Sequence, residues 1–193
     1  MFNPKNDSMA CQEKFHGNFR GRVVSTADPY GAGRVRVRVY GVYDGVPDSS
    51  LPWAIFSDPF MGGQAGIGGF VVPDVGSDVW VFFEEGNHML PVYFAGAPAR
   101  PHGPPERSAG PHNKVLHTKA GHIIEVDDEG NRIRIHHSSG TDIHIDSGGN
   151  ITLTGVGDVT HNISGNLTEN VSGNVTIAAG GDVKVTGARI DLN

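Results

Sequence analysis

The stretch Gly149–Gly187, GNITLTGVGDVTHNISGNLTENVSGNVTIAAGGDVKVTG, decides how this chain is read. Glycines stand at Gly149, Gly157, Gly165, Gly173 and Gly181, one every eighth position, and each opens a similar phrase. The phrases run Gly-Asn-Ile-Thr, Gly-Asp-Val-Thr, Gly-Asn-Leu-Thr, Gly-Asn-Val-Thr and Gly-Asp-Val-Lys. Across the stretch the odd positions are glycine or apolar, apart from His161 and Glu169. Ile151, Leu153, Val159, Ile163, Leu167, Val171, Val175, Ile177, Val183 and Val185 fall there, and most even positions carry Thr, Asn, Ser, Asp or Lys. Period-2 alternation predicts strands with one dry face and one wet face.

A repeat of this kind cannot cover its own dry face; neighbouring units must do it. A single-chain β-helix needs about 18 residues to go once round a core. Eight residues make one side. The octad is compatible with one side of a single-chain coil, but a thin prism of three identical chains fits it better, with glycine at each corner. In that prism Ile151, Val159, Ile163, Leu167, Val171, Val175 and Val183 form the needle core. Each inward aliphatic contributes about 1.5–3 kcal/mol when buried. A calcium-binding nonapeptide array wants GGxGxDxUx at period nine, and the spacing here is eight. Looser versions of the phrase stand upstream at Gly121, Gly130 and Gly140, so the repeat region is taken as 121–193.

Upstream, residues 98–120 read as a connector, with prolines at 98, 101, 104, 105 and 111 that remove backbone donors and fix φ. Residues 15–97 read as a compact β domain. In Gly33–Tyr40, GRVRVRVY, Val35, Val37 and Val39 alternate with Arg34, Arg36 and Arg38; Asp78–Phe83, DVWVFF, is a second β-rich run. Asp28-Pro29-Tyr30-Gly31 is a turn signal, and Leu90–Phe94 after Glu85-Gly86-Asn87 predicts a hairpin. Five or six short strands in such a span suit a small barrel such as the OB-fold. Residues 1–14 are left as an N-terminal arm. The expected fold is therefore all-β, an OB-fold-like barrel followed by an intertwined, trimeric, triple-stranded β-helix.

Composition agrees with short strands and many turns: 28 glycines and 12 prolines in 193 residues. A net charge of −6 argues against a nucleic-acid surface, which usually carries a basic excess. One cysteine, Cys11, excludes an internal disulfide. No basic start followed by an apolar run marks a secretory leader, and no apolar stretch of roughly 18 residues marks a membrane-spanning helix.

With both halves in view, the sequence resembles the central spike proteins of contractile phage tails and their relatives in type VI secretion and R-type bacteriocins. The barrel part of the resemblance rests on Gly21-Arg22-Val23-Val24, Asp28-Pro29, Gly33-Arg34-Val35-Arg36-Val37 and Leu51-Pro52-Trp53-Ala54. It continues through Pro73-Asp74-Val75-Gly76-Ser77-Asp78-Val79-Trp80-Val81-Phe82-Phe83-Glu84-Glu85-Gly86. The needle part rests on Ile163-Ser164-Gly165 and Val171-Ser172-Gly173. The resemblance implies a homotrimer on the tail axis, made in the host cytoplasm and carried in the virion at the distal baseplate end. Its barrel end meets tail-tube, hub and baseplate proteins, and its needle is driven through the host outer membrane when the sheath contracts. Some relatives insert a lysozyme domain between barrel and needle; only the short connector stands here, which implies a mechanical protein and not an enzyme. An adhesive or receptor-binding tail needle is the alternative.

Chemistry is sparse. Eight of the ten histidines lie between 102 and 161, yet none forms HExxH or another strong ligand signature. His136, His137 and His144 read as polar residues on strands. His161 and Glu169 interrupt the apolar register; if inward, each forms a ring of three on the axis, needing water, an ion or protonation, and if outward, each is an ordinary surface group. They are the candidate axial metal ligands. Gly62–Gly69, GGQAGIGG, lacks the Lys-Ser/Thr of a phosphate loop and reads as a barrel loop. Asp127-Asp128-Glu129 and Glu84-Glu85 read as solvated turn carboxylates and not as a glycosidase pair. The relatives' iron-binding His-x-His tip has no counterpart after His161. Three blunt ends would expose Ile190 and Leu192, which implies a separate PAAR-like cap at that interface.

Overall fold

A computed structural model of the chain describes residues 14–57, 67–98, 103 and 110–191. Most of the arm, Cys11, residues 62–66, the connector prolines at 101, 104 and 105, and Leu192 lie outside the described residues. The chain divides into two units, Met1–His117 and Thr118–Asn193.

The barrel of the first unit is made of five strands: β1 (Phe19–Ser25), β2 (Val35–Val39), β3 (Trp53–Phe56), β4 (Asp78–Phe83) and β5 (Pro91–Gly96). They close into a barrel in the order β1-β2-β3-β5-β4, with β1 pairing β4 to complete the ring. All pairs are antiparallel except β3 with β5. A closed five-stranded barrel with this one parallel pair is the OB-fold arrangement. The alternation in β2 does what it implies: Val35, Val37 and Val39 are buried beside Val23, Val79, Val81, Phe83, Tyr43, Leu51, Ala54 and Tyr93. Polar tips on the core rings find partners. Tyr93 donates its hydroxyl to the Gly33 carbonyl at 2.5 Å, and burial pushes that hydroxyl up to about 12. Tyr43 donates to the His88 carbonyl.

Gly21 shows why the strands can sit this close. A Cβ built there would stand 2.3 Å from Cγ1 of Val37, so any side chain would push β1 off β2.

The second sheet runs β10-β9-β8-β7-β6, with antiparallel pairs from β7 through β10. Its strands are β6 (Asn113–His117), β7 (Ile123–Asp127), β8 (Arg132–His136), β9 (Asp142–Ile145) and β10 (Ile151–Thr154). β6 thus lies inside the segment read as connector. The region read as a needle from residue 121 begins within one chain as an antiparallel meander. Local turn chemistry explains this. His137 and Thr141 close one hairpin, and Asp146 and Asn150 close the next. The Asp146 carboxylate accepts from the Gly148 and Asn150 amides, and Gly149 takes a φ of 78°. Gly140 and Gly149 therefore serve as hairpin turn residues; in one chain they are not prism corners. Among the described residues no strand or helix follows Thr154.

Candidate functional site

The barrel's outer wall carries five arginines that the core alternation leaves facing out: Arg20, Arg22, Arg34, Arg36 and Arg38. Cross-strand register sets Arg22 opposite Arg38 and Asp78, Arg20 opposite Trp80, and Arg36 opposite Trp53. The guanidinium of Arg20 stacks on Trp80 at 4.7 Å and donates to the Ala97 carbonyl at 3.2 Å, holding the chain where it leaves β5. Arg36 stacks on Trp53 at 4.6 Å and reaches the Ser49 carbonyl. Arg38 donates to the Tyr43 and Val46 carbonyls, each at 2.6 Å, and pairs with Asp48.

Arg34 pairs with Asp28 at 2.5 Å, and the Asp28 side chain is only 4% exposed. The Asp28 carboxylate also accepts the backbone amides of Tyr30, Ala32 and Arg34. The Arg34 bond, with that amide cradle, holds its carboxyl well below the usual carboxylate range against the opposing effect of desolvation. These arginines fasten the barrel's loops to its wall. The sequence reading used their alternation but missed that role; the signal was Asp and Trp recurring beside the arginine-bearing strands.

A shallow hollow of about 420 Å³ on the same barrel is lined by Asn18, Ser57, Phe82 and Phe94. Among the described residues its lining carries no charge.

The meander separates its two faces sharply. On one face, Glu125 stands opposite Arg134, which stands opposite His144 and then Thr152. Arg134 grips Asp142 with its Nε 2.9 Å from both carboxylate oxygens, which holds that carboxyl below its ordinary range. Arg132 pairs with Asp127 at 3.0 Å and with the buried Glu125 at 3.3 Å. Asp127 also accepts the Gly130 amide at 2.9 Å, so this carboxylate shapes the turn as read, but its ion pair with Arg132 leaves the side chain only 13% exposed and not freely solvated. His136 stands 3.7 Å from Asp142, and His137 stacks on His122 at 4.4 Å.

The other face is aliphatic. Ile124 stands opposite Ile135, which stands opposite Ile143 and then Leu153; Val126 stands opposite Ile133, then Ile145, then Ile151. Seven of these eight are exposed, from Val126 at 37% to Ile151 at 73%. Sequence reasoning singled out only Ile151 and Leu153 here. The other six also sit at alternate strand positions, but under a looser spacing.

Beyond β10 every described octad side chain is exposed. Val159, Ile163, Leu167, Val171, Val175 and Val183 range from 48% to 64%, and Ile190 stands at 49%. Nothing lies within 4 Å of the Cβ position at Gly157, Gly165, Gly173 or Gly181. His161 and Glu169 are likewise exposed, and one chain does not bring them together with other ligands. Among the described residues no three His, Cys, Asp or Glu side chains gather where an ion would sit. No described helix is long and apolar enough to cross a membrane.

Residues 19–97 match the family model described as the type VI secretion system/phage-baseplate injector OB domain. That range begins with β1 and ends just after β5, so it frames the barrel strands. No curated protein matches the chain. Strand order, the parallel β3–β5 pair and the family match agree: the barrel of this chain is an OB-fold similar to the type VI secretion system/phage-baseplate injector OB domain, and the match supports a baseplate spike protein.

Proposed function

We propose that this protein is the cell-puncturing spike itself: a homotrimer whose octads intertwine into a triple-stranded β-helix that sheath contraction drives through the host outer membrane. One observation carries the reading. A baseplate injector barrel is followed, in the same chain, by an alternating apolar segment that past Thr154 forms no strand among the described residues. In water that segment would leave Val159, Ile163, Leu167, Val171, Val175 and Val183 exposed, as they stand in one chain. Two further copies would bury them, each chain supplying one side of the prism.

The role is mechanical and not catalytic. Force enters at the barrel, which meets hub and tube, and leaves through the needle, tipped at the Ile190 end by a separate PAAR-like protein. His161 and Glu169, where they face inward, each form a ring of three on the axis that needs water, an ion or protonation. Sedimentation equilibrium tests the reading: the expected mass is three times the 20.5 kDa chain at micromolar concentration. A mass of one chain would refute it.

A further inference from the structure

We propose that the aliphatic face of β7–β10 is where three copies of this chain first meet, and that it sets the register in which the octads then intertwine. The inference rests on the trimeric reading above and adds which surface gathers the chains and in what order.

The face is built for cover. Its two rows, Ile124–Ile135–Ile143–Leu153 and Val126–Ile133–Ile145–Ile151, cross four strands without a charged or polar side chain between them. At about 4.8 Å between strands the strip is roughly 15 Å wide. The opposite face is already joined by Arg132–Asp127, Arg132–Glu125 and Arg134–Asp142. Of the hydrophobic side chains in Thr118–Asn193, only Ile123 is buried among the described residues. A sheet with one bare apolar face and no core does not persist alone.

Continuity in the chain identifies the occupant. β10 runs directly into the octads, and Ile151 and Leu153 fall on the odd-numbered, dry side of the alternation with Val159 and Ile163. Whatever covers the dry face of the octads also reaches the two rows; on the trimeric reading, that is a second and a third copy. The rows carry no charge, so identical faces meet without like-charge repulsion.

The order follows from where the hydrogen bonds go. The meander pairs strands adjacent in sequence, through turns closed by His137–Thr141 and Asp146–Asn150, so it forms from local contacts within one chain. Past Thr154 the octads form no strand among the described residues and must wait for neighbours. They also carry an ambiguity: sliding one chain by a whole octad leaves the dry and wet faces where they were, so alternation alone does not fix their register. The meander does not repeat with that period. Once three meanders are joined, the first octads leave at one level and zip in step.

The test uses the full chain at micromolar concentration. Ile135→Glu with Ile143→Glu places charges at the centre of one row; Val171→Asp places one among the octads. The expected result is a trimeric parent, a monomeric row variant whose Trp53 and Trp80 emission still reports a folded barrel, and a trimeric Val171→Asp whose octads are cut by protease. A row variant that keeps the parental mass overturns this inference and leaves the trimer standing, as does a Val171→Asp chain that falls to monomer. A monomeric parent, whether or not its own tail covers the rows, overturns both. Should the charged variant aggregate, Ile135→Ala with Ile143→Ala replaces it. That pair is expected to raise the concentration at which the trimer dissociates at least tenfold, and an unchanged concentration overturns the proposal.

Discussion

The barrel and the C-terminal unit are written in the same pattern and end in opposite states. In β2, Val35, Val37 and Val39 alternate with arginines and are 0%, 2% and 0% exposed. In β8, Ile133 and Ile135 alternate with Arg132 and Arg134 and are 46% and 48% exposed. Both strands form; both present a dry and a wet face. What separates them is closure. The barrel curls until β1 meets β4, so each strand's dry face looks into the others. The meander stays open, and among the described residues the octads beyond it form no strand. Alternation therefore states that a face must be covered, while topology states whether the same chain covers it.

Five substitutions break or sharpen this contrast. The largest effect belongs to Val37→Asp, which puts a carboxylate into the closed barrel. Burying a charge without a partner costs several kcal/mol, a large part of the roughly 5–15 kcal/mol that holds a domain. The expected outcome is a barrel unfolded at room temperature by circular dichroism and Trp fluorescence. A folded barrel would show that its core is open to water.

Next comes Gly21→Ala. Its new methyl meets Val37 at 2.3 Å, and crowding of this kind costs about 1–3 kcal/mol. Chemical denaturation should show a lower midpoint at unchanged slope. The same change at Gly165, where the Cβ site is open in one chain, should leave the barrel's midpoint where it was.

Asp28→Asn tests the wall and not the core. Because its carboxyl titrates below the ordinary value of 3.8, Asp28 adds stability that is fully present above that value. This contribution is lost as pH falls through the lowered value. The variant should melt below the parent at neutral pH, and the gap should narrow as the solution is acidified past pH 3.8. A gap independent of pH would mean that the Arg34 pair contributes nothing. The smallest effect is expected at Asn174→Asp, on the wet face of the octads. Thermal melts of the trimer should agree within about 0.5 kcal/mol. A large loss would show that the wet and dry faces are exchanged.

Much of the molecule was legible before any coordinates. The valines of β2 announced themselves by period two, β4 by its β-rich run, and Asp28-Pro29-Tyr30-Gly31 forms the expected turn, with the Gly31 amide donating to the Asp28 carbonyl at 3.1 Å. The octads were legible because a strict repeat is a one-dimensional property. Other features were not. That Arg20 would bind the carbonyl of Ala97, or that Asp28 would gather three amides around one carboxylate, depends on loops folding back, which no local pattern encodes.

By itself, then, the sequence determined which side chains share a face, because a strand's geometry turns every second residue the same way. Only the tertiary structure decided what each face meets. It decided that β3 runs parallel to β5 and closes a barrel, and that Gly140 and Gly149 turn hairpins. It also decided that Ile124 to Leu153 form two aligned rows on one sheet. Those outcomes depend on pairings between distant residues, whose closure entropy and packing are settled by the whole chain together and not by any segment of it.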